Sequence, residues 1–288
     1  MKKFIKYVSH LIIFFSWKIR LLIVSLALTS CNTQISQPLS SNNNLKRSFE
    51  VNYITGNEFE IYSAQTQMTK NPVLTVYLEG DGFAWKSRTK LSDDPTPKNP
   101  IALKLAIKAN KPDTIYLARP CQYGAKHAGK KCSNVYWSSH RFSDEIVEAV
   151  SSGITKLKKE NKKKQIKLVG FSGGAAIAVL IAARRDDVSA VFTVAGNLNS
   201  KMIMEQHGVS PLVGSLEPLD FAFDIRNIPQ IHFYGEKDKI ISSDITKSFF
   251  KASGFSNCVQ IIPVKNASHN KQWQNNWQKI SNFEPKCY

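Results

Sequence analysis

Residues 165–187, QIKLVGFSGGAAIAVLIAARRDD, hold one serine, Ser172, among glycines with an apolar run on either side. The run before the serine has the composition of a buried strand, and the run after it, rich in Ala and Leu, has that of a helix. The segment 170–174, GFSGG, fits G-x-S-x-G, the pattern of a nucleophile held in a sharp strand-to-helix turn. Alone, this pattern is more typical of a structural turn. A phosphate-binding loop is disfavoured, because neither a following Lys-Ser/Thr pair nor G-x-G-x-x-G is present.

Strand-like and helix-like segments alternate on both sides of this stretch. The strand-like segments are continuously apolar, as is typical of strands buried on both faces of a parallel sheet. We therefore predict an α/β fold with a doubly wound, mostly parallel sheet covered by helices on both faces. Two segments around residues 55–57 predict an antiparallel hairpin at the N-terminal edge. The alternation stops near 198–228, which we interpret as a small insertion with short helices on the side where ligands bind.

Two further side chains fall at the ends of later strands, where the functional residues of such sheets collect. Asp238 follows the penultimate strand in YGEKDKII, and His269 follows the last strand in KNASHNKQW. A serine hydroxyl is a poor nucleophile without a base, and the base needs an acid to orient it. Ser172, Asp238 and His269 supply these three groups. The other histidines lie in the N-terminal segment, a polar loop, irregular segments or a strand: His10, His127, His140, His207 and His232.

With these residues identified, the chain from Phe49 to its C-terminus resembles an α/β-hydrolase. The resemblance is carried by GFSGG, by GEKDKII and by the histidine that precedes a Trp-containing helix. YLEGDGFAW, DPTPKNP, YLARPCQY, GFSGGAAIA and VAGNLN are similar to segments of a group of bacterial α/β-hydrolase lipoproteins. The resemblance implies an α/β-hydrolase fold and a serine hydrolase that cleaves a carboxylic ester or related acyl bond through an acyl-enzyme. Ser172 would be the nucleophile, His269 the base and Asp238 the orienting acid, without a cofactor.

The same resemblance implies where an oxyanion would be held. Gly173, directly after the serine, would supply one backbone N–H. In the loop after the third strand, EGDG stands at 79–82 where many relatives have His-Gly, so Gly80 would take the place of the family glycine. The second donor would then be the N–H of Asp81 or Gly82.

The EGDG loop also carries two carboxylates, which would oppose catalysis if they pointed at an oxyanion. We therefore expect Glu79 and Asp81 to turn away. A basic residue such as Arg119 or Arg141 is the expected partner of Glu79.

The first thirty residues differ from the rest. Five positive charges and no acid precede Cys31, and the apolar run LLIVSLALTS is shorter than the roughly 20 residues that cross a bilayer. Such a run suits the apolar region of an export signal. Residues 28–31, LTSC, resemble a bacterial lipobox, which implies acylation of Cys31. The alternatives are an ordinary secretory signal or a retained helical anchor, which Lys18 and Arg20 disfavour.

The domain organisation follows from this reading. We predict a lipoprotein signal peptide at 1–30, a polar flexible tether at 31–48 and an α/β-hydrolase domain at 49–288. Asn32 follows the cysteine, and by resemblance to sorting rules in two-membraned bacteria the absence of Asp there implies the outer membrane. The predicted location is therefore the bacterial cell envelope, with the chain lipid-anchored on the periplasmic face of the outer membrane.

The four remaining cysteines predict two disulfides in an exported protein. Proximity along the chain favours Cys121 with Cys132, which leaves Cys258 with Cys287. A metal site is not predicted, since the sequence shows neither CxxC nor HxxxH spacing.

The net charge of +17, or +12 after residue 30, is strongly basic. Six lysines lie in KLKKENKKK at 156–164, which we interpret as a solvated helix end, because no nucleic-acid-binding motif or interleaved aromatics accompany it. The predicted partners are a small-molecule or lipid-like ester and, through Cys31, a membrane, with no nucleic acid. The competing hypothesis is a non-catalytic lipoprotein that uses the hydrolase scaffold for binding.

Overall fold

A computed structural model describes residues 49–124 and 132–288. Outside the described residues lie the predicted signal peptide at 1–30, the predicted tether at 31–48, the predicted acylation site Cys31 and also His127. Within these residues one sheet contains eight strands: β1 (Glu50–Gly56), β2 (Phe59–Gln65), β3 (Val73–Leu78), β4 (Thr114–Leu117), β5 (Gln165–Phe171), β6 (Val188–Val194), β7 (Gln230–Gly235) and β8 (Val259–Val264). The α-helices of the same residues are α1 (Ile101–Ala109), α2 (Asp144–Glu160), α3 (Gly173–Ala182), α4 (Ser200–His207), α5 (Ser243–Ala252) and α6 (Trp273–Ile280).

The strands lie side by side in the order β1-β2-β4-β3-β5-β6-β7-β8. β1 and β2 form an antiparallel hairpin, and β2 also runs antiparallel to β4. Every other pair, from β4 to β8, is parallel. The predicted α/β architecture with an N-terminal antiparallel hairpin is thus confirmed. The parallel strands bring their carboxyl ends to one edge, where loops from distant parts of the sequence meet.

Helices cover both faces of the sheet and divide the core in two. One cluster of buried side chains includes residues of α2, α3 and α5, and the other includes residues of α1 and α6. β5 contributes to both clusters, since Ile166 and Leu168 pack in the first and Val169 and Phe171 in the second. This burial on two sides explains why the strands read as continuous apolar runs.

The two helices that flank β5 in the sequence differ in how much of their surface is buried. All ten residues of α3 are buried, which accounts for a sequence that is apolar on every side. α2 buries only one stripe and is capped by Ser143, whose hydroxyl accepts a hydrogen bond from the N–H of Ile146. Acidic residues in its first turn and lysines in its last complement the helix dipole. In the described part of the chain, no helix is both long and apolar enough to span a membrane.

The lysine run at 156–164, predicted to be a solvated helix end, contains an exception. Lys163 is only 6% exposed, and its Nζ donates to the carbonyls of Thr69 (2.7 Å) and Asn71 (2.8 Å). It also forms an ion pair with the buried carboxylate of Asp113. Lys163 therefore ties the end of this segment to the loop before β3, because a buried cation requires such partners.

Candidate active site

Ser172 lies in the turn between β5 and α3, at the carboxyl edge of the sheet. Its backbone has φ 50° and ψ −116°, in a region that non-glycine residues rarely occupy. The surrounding loop holds this conformation: the Ser172 N–H donates to the carbonyl of Val194 (3.0 Å), and the Ser172 carbonyl accepts from the N–H of Asn197 (3.0 Å). The strained turn leaves Ser172 half-buried at the start of a helix, as the G-x-S-x-G pattern predicts.

Two glycines of the motif permit this turn because no side chain fits beside them. A Cβ at Gly170 would lie 2.4 Å from the carbonyl oxygen of Gly174, and one at Gly174 would lie 2.2 Å from the carbonyl oxygen of Leu78. α3 can therefore approach β5 and β3 only when both positions lack side chains.

The structure brings Asp238 and His269 to Ser172 from two later loops. Nε2 of His269 lies 3.1 Å from Oγ of Ser172, and Nδ1 of His269 lies 3.0 Å from Oδ2 of Asp238. The three side chains thus form a continuous hydrogen-bonded chain, although 97 residues separate the serine from the histidine.

The surroundings of Asp238 define the direction of these bonds. Its side chain is fully buried, and its Oδ1 accepts hydrogen bonds from the N–H groups of Ile240 (2.8 Å) and Ile241 (3.0 Å). Oδ2 is left to accept from Nδ1–H of His269. Because a neutral imidazole carries one proton, Nε2 then has a lone pair directed to the Ser172 hydroxyl.

The imidazole of His269 is held on other sides as well. The ring of Phe171 packs against it with centroids 5.3 Å apart. Trp273, at the start of α6, donates from its indole Nε1 to the carbonyl of His269 (3.0 Å). This indole is buried, so the Trp-containing helix after the histidine fixes the loop that carries the imidazole.

The EGDG loop lies beside the serine, and Gln122 fixes its shape. Gly82 has φ +69°, and a Cβ there would come within 2.0 Å of the Pro95 carbonyl oxygen. The side chain of Gln122 donates to the carbonyl of Gly80 (3.1 Å) and accepts from the N–H of Arg119 (3.0 Å). Gln122 is not among the site residues predicted from the sequence; the available signal was its position in the segment YLARPCQY, directly after Cys121.

The partner expected for Glu79 was wrong. Its carboxylate does turn away from the serine, but it accepts from the N–H groups of Gly80 (3.0 Å), Ala102 (3.2 Å) and Leu103 (3.4 Å) rather than pairing with an arginine. Two of these amides belong to the first turn of α1, where the helix dipole favours a negative group. Burial raises the pKa of Glu79 to about 7, opposed by these backbone hydrogen bonds.

The two arginines bind Asp81 instead. Nη1 of Arg119 lies 3.1 Å from Oδ1 of Asp81, and Nη1 of Arg141 lies 3.1 Å from Oδ2. This carboxylate does not turn away: Oδ1 lies 2.0 Å from where a Cβ of Gly173 would be. Asp81 therefore packs directly against the residue that follows Ser172, with both of its oxygens paired.

Two disulfides join the cysteine pairs that proximity along the chain favoured, Cys121 with Cys132 and Cys258 with Cys287. The first bond anchors the residue next to Gln122, so it stabilises the turn that holds the EGDG loop. The second ties the chain after α6 to the residue before β8.

The other histidines in the described residues do not join Ser172. His232 is fully buried in β7, where its ring nitrogens meet the hydroxyl of Thr193 (2.8 Å) and the side chain of Gln230 (3.2 Å). Burial lowers the pKa of His232 to about 3, which marks it as a neutral core residue. Within the same residues, no cluster of His, Cys, Asp and Glu side chains has the arrangement of a metal site.

Residues 103–260, more than half of the chain, match the model of the family described as serine hydrolase (FSH1). The chain belongs to the FSH1 serine hydrolase family. The matched segment of this α/β serine hydrolase contains Ser172 and Asp238 but ends before His269. The family match does not include His269, whose position beside Ser172 and Asp238 is seen in the tertiary structure.

Solved structures with the same fold include several enzymes. An esterase from Pyrococcus furiosus is 13% identical with a TM-score of 0.58, and the alignment covers 81% of this chain and 90% of that one. Est1E from Butyrivibrio proteoclasticus, with bound ferulic acid, is 12% identical with a TM-score of 0.57, covering 80% and 97%. An α/β serine hydrolase homologue from Coxiella burnetii is 16% identical with a TM-score of 0.52, covering 81% and 94%. No curated protein sequence matches the chain.

Proposed function

We propose that this serine hydrolase cleaves carboxylic esters through a Ser172–His269–Asp238 triad and an acyl-enzyme. The observation that carries the proposal is the unbroken line of hydrogen bonds from Ser172 Oγ through His269 to Asp238. Ester cleavage is also the activity named for the Pyrococcus furiosus structure with this fold. A scaffold used only for binding would not need all three groups in hydrogen-bond contact.

In the first half-reaction, Nε2 of His269 takes the hydroxyl proton of Ser172 while Oγ attacks the ester carbonyl carbon. The carbonyl π-electrons move onto oxygen, and a tetrahedral oxyanion forms. The positive charge on the imidazolium is stabilised by the buried carboxylate of Asp238.

The oxyanion would be held by the N–H of Gly173 and by that of Asp81 or Gly82. The N–H of Gly80 already donates to Glu79, so the second donor falls to one of the next two residues. The start of α3 adds a favourable dipole at the same point.

The carboxylate of Asp81 next to Gly173 would oppose this negative charge if it were alone. Arg119 and Arg141 prevent this, since two guanidinium groups share the one carboxylate and give the cluster a net charge of +1. In a poorly solvated site this surplus favours an oxyanion, because charges interact more strongly there than in water. The unusual acid of the EGDG loop is therefore compatible with catalysis.

Collapse of the oxyanion breaks the bond to the alcohol oxygen, which takes the proton from Nε2 of His269 and leaves. The acyl group stays on Oγ of Ser172. Water then attacks this acyl-enzyme with His269 as the base, and the carboxylic acid is released with Ser172 regenerated.

The proposal is tested by covalent labelling with a fluorophosphonate and by turnover of p-nitrophenyl butyrate. Wild type is expected to be labelled and active, and Ser172→Ala to lose both the label and turnover. Ser133→Ala is the matched control, because the side chain of this exposed serine makes no capping hydrogen bond to the short 3-10 helix that follows it. An unlabelled wild type, or equal labelling of Ser172→Ala, would refute the assignment.

A further inference from the structure

A cavity of about 610 Å³ opens between the loop that follows the EGDG segment, the segment before α2 and the end of α4. Residues 85–91, 138–141 and 204–212 contribute its walls. Its size is within the range of pockets that enclose small-molecule ligands. The third of these segments belongs to the insertion at 198–228, whose place on the ligand side was predicted from the sequence.

Much of the wall is apolar. Leu91, Met204, Pro211 and Leu212 line the cavity, and Met204 is buried. Trp85, 43% exposed, is a further lining residue that remains accessible to solvent. Such a surface favours an alkyl or aryl group, which loses contact with water on entering it.

The charged residues in the wall are all cationic. Arg88 and Arg141 line the cavity together with several hydroxyl side chains, and its described lining contains no carboxylate. Arg141 shares its partner Asp81 with the buried Arg119, so one positive charge of this group is not neutralised. Within the described residues, the buried Nε of Arg141 also lacks a hydrogen-bond partner. An anion in the cavity would offset this surplus, since buried charges are stable when paired.

Two contacts connect the cavity to the candidate nucleophile. Arg141 in the wall binds Oδ2 of Asp81, and the other oxygen of Asp81 lies against Gly173. Gly173 is bonded to Ser172. One carboxylate therefore links Arg141 in the cavity wall to the residue that follows Ser172.

We propose that this cavity binds one part of the substrate, an alkyl or aryl chain that carries a carboxylate or a phosphate group. This part belongs to the ester that is cleaved at Ser172. The chain packs against the wall around Leu91 and Leu212, and the anion pairs with Arg88 and Arg141. Guanidinium groups suit either anion because they donate two parallel hydrogen bonds. This inference rests on the proposed ester hydrolysis for the role of the ligand as substrate.

The test is a calorimetric titration of the full-length protein with three ligands of eight carbon atoms each: octanoate, octyl phosphate and octanamide. We expect one anion to bind at least about 10-fold more tightly than neutral octanamide, as for a charge-assisted hydrogen bond. Tighter octanoate identifies a carboxylate substrate, and tighter octyl phosphate identifies a phosphate substrate. Equal affinities for all three ligands, or no binding of either anion, would overturn the proposal.

Two variants locate the site. Arg88→Gln is expected to reduce the preference for the anion over octanamide by about fivefold, the effect of one partly exposed ion pair. Lys108→Gln makes a similar change on an exposed residue of α1 outside the cavity wall, and is expected to leave the preference unchanged. An unaltered preference in Arg88→Gln, or an equal loss in Lys108→Gln, would contradict the assignment of this cavity.

The binding measurement does not depend on turnover. A protein that binds the anion selectively but resists the fluorophosphonate retains the cavity assignment and loses the proposed reaction. A protein that is labelled at Ser172 but shows no preference for the anion retains the reaction and loses the cavity assignment.

Discussion

Replacing Asp238 with asparagine should invert the hydrogen bonding of the triad without disturbing the fold. Oδ1 of Asp238 accepts from the N–H groups of Ile240 and Ile241, and an amide oxygen can accept both bonds equally well. The amide NH₂ must then occupy the position of Oδ2 and face Nδ1 of His269. Since NH₂ only donates, Nδ1 becomes an acceptor and the imidazole proton moves to Nε2.

In this tautomer Nε2–H points at Ser172 and cannot take its proton. The loss expected for a wrongly held tautomer in such a triad is about 10⁴-fold in kcat, or about 5 kcal/mol of transition-state stabilisation. KM should change little, because Asp238 is buried behind His269. The assay is steady-state hydrolysis of p-nitrophenyl butyrate at pH 7.5, with thermal unfolding measured on the same samples.

Asp224→Asn is the matched control, because it makes the same chemical change on an exposed carboxylate. It should retain wild-type kcat and Tm. A fall in kcat of less than about tenfold in a folded Asp238→Asn protein would refute the reasoning, and the acid role would then pass to another residue, with Glu236 the nearest along the chain.

Three other predictions concern the EGDG loop and the N-terminus. The folded state raises the pKa of Glu79 to about 7. As the pH rises from about 4.5 to 7, the wild type should therefore lose up to about 3 kcal/mol of stability relative to Glu79→Gln. Urea unfolding of both proteins at about pH 5 and about pH 8 measures this loss. Gly82→Ala should lower kcat/KM on p-nitrophenyl butyrate by at least about tenfold, because the new Cβ displaces the loop. It should also lower the stability of the fold by more than the roughly 1–2 kcal/mol that a positive φ costs an alanine. Cys31→Ser should move the protein from the membrane fraction to the soluble fraction on cell fractionation, since it removes the predicted acylation site.

The Glu79 and Gly82 predictions each have a matched control. The sign for Glu79 follows because the folded protein keeps a proton that the unfolded chain releases between the two pKa values; Glu148→Gln, on an exposed acid, should show no such dependence. Gly254→Ala shares the positive φ of Gly82 (+72° against +69°) but has no contact closer than 3.6 Å, so it isolates the backbone cost. Equal effects of the two glycine substitutions would contradict the Gly82 prediction. A stability difference between wild type and Glu79→Gln that does not change with pH would contradict the Glu79 prediction. A Cys31→Ser protein that remains in the membrane fraction would contradict the prediction for Cys31.

The cavity and the EGDG loop meet at Asp81, which gives this residue two connected roles in the proposals. Its carboxylate holds Arg141 in the cavity wall, while its backbone is a candidate oxyanion donor. Binding of an anion beside Arg141 would weaken the ion pair between Arg141 and Asp81 and so change the electrostatic potential next to Gly173. In these proposals, substrate recognition and oxyanion stabilisation are linked through the Asp81 side chain.

The sequence by itself determined the features that depend on local pattern and chain order. Continuous apolar strands alternating with helices predict the parallel sheet, and a serine between small residues at a strand end predicts the turn at Ser172. Asp238 and His269 could be chosen because parallel strands bring their carboxyl ends to one edge, so that position along the chain implies position in space.

Only the tertiary structure decided which side chains share a partner. Glu79 and Asp81 are two residues apart and looked alike in the sequence, yet the first faces the amides of α1 and the second faces Arg119 and Arg141. Gln122 and the cavity wall likewise join loops that are far apart along the chain. Periodicity carries no information on such contacts, because they depend on how separate loops pack over the sheet edge, and a shift of a few ångströms changes which charge meets which.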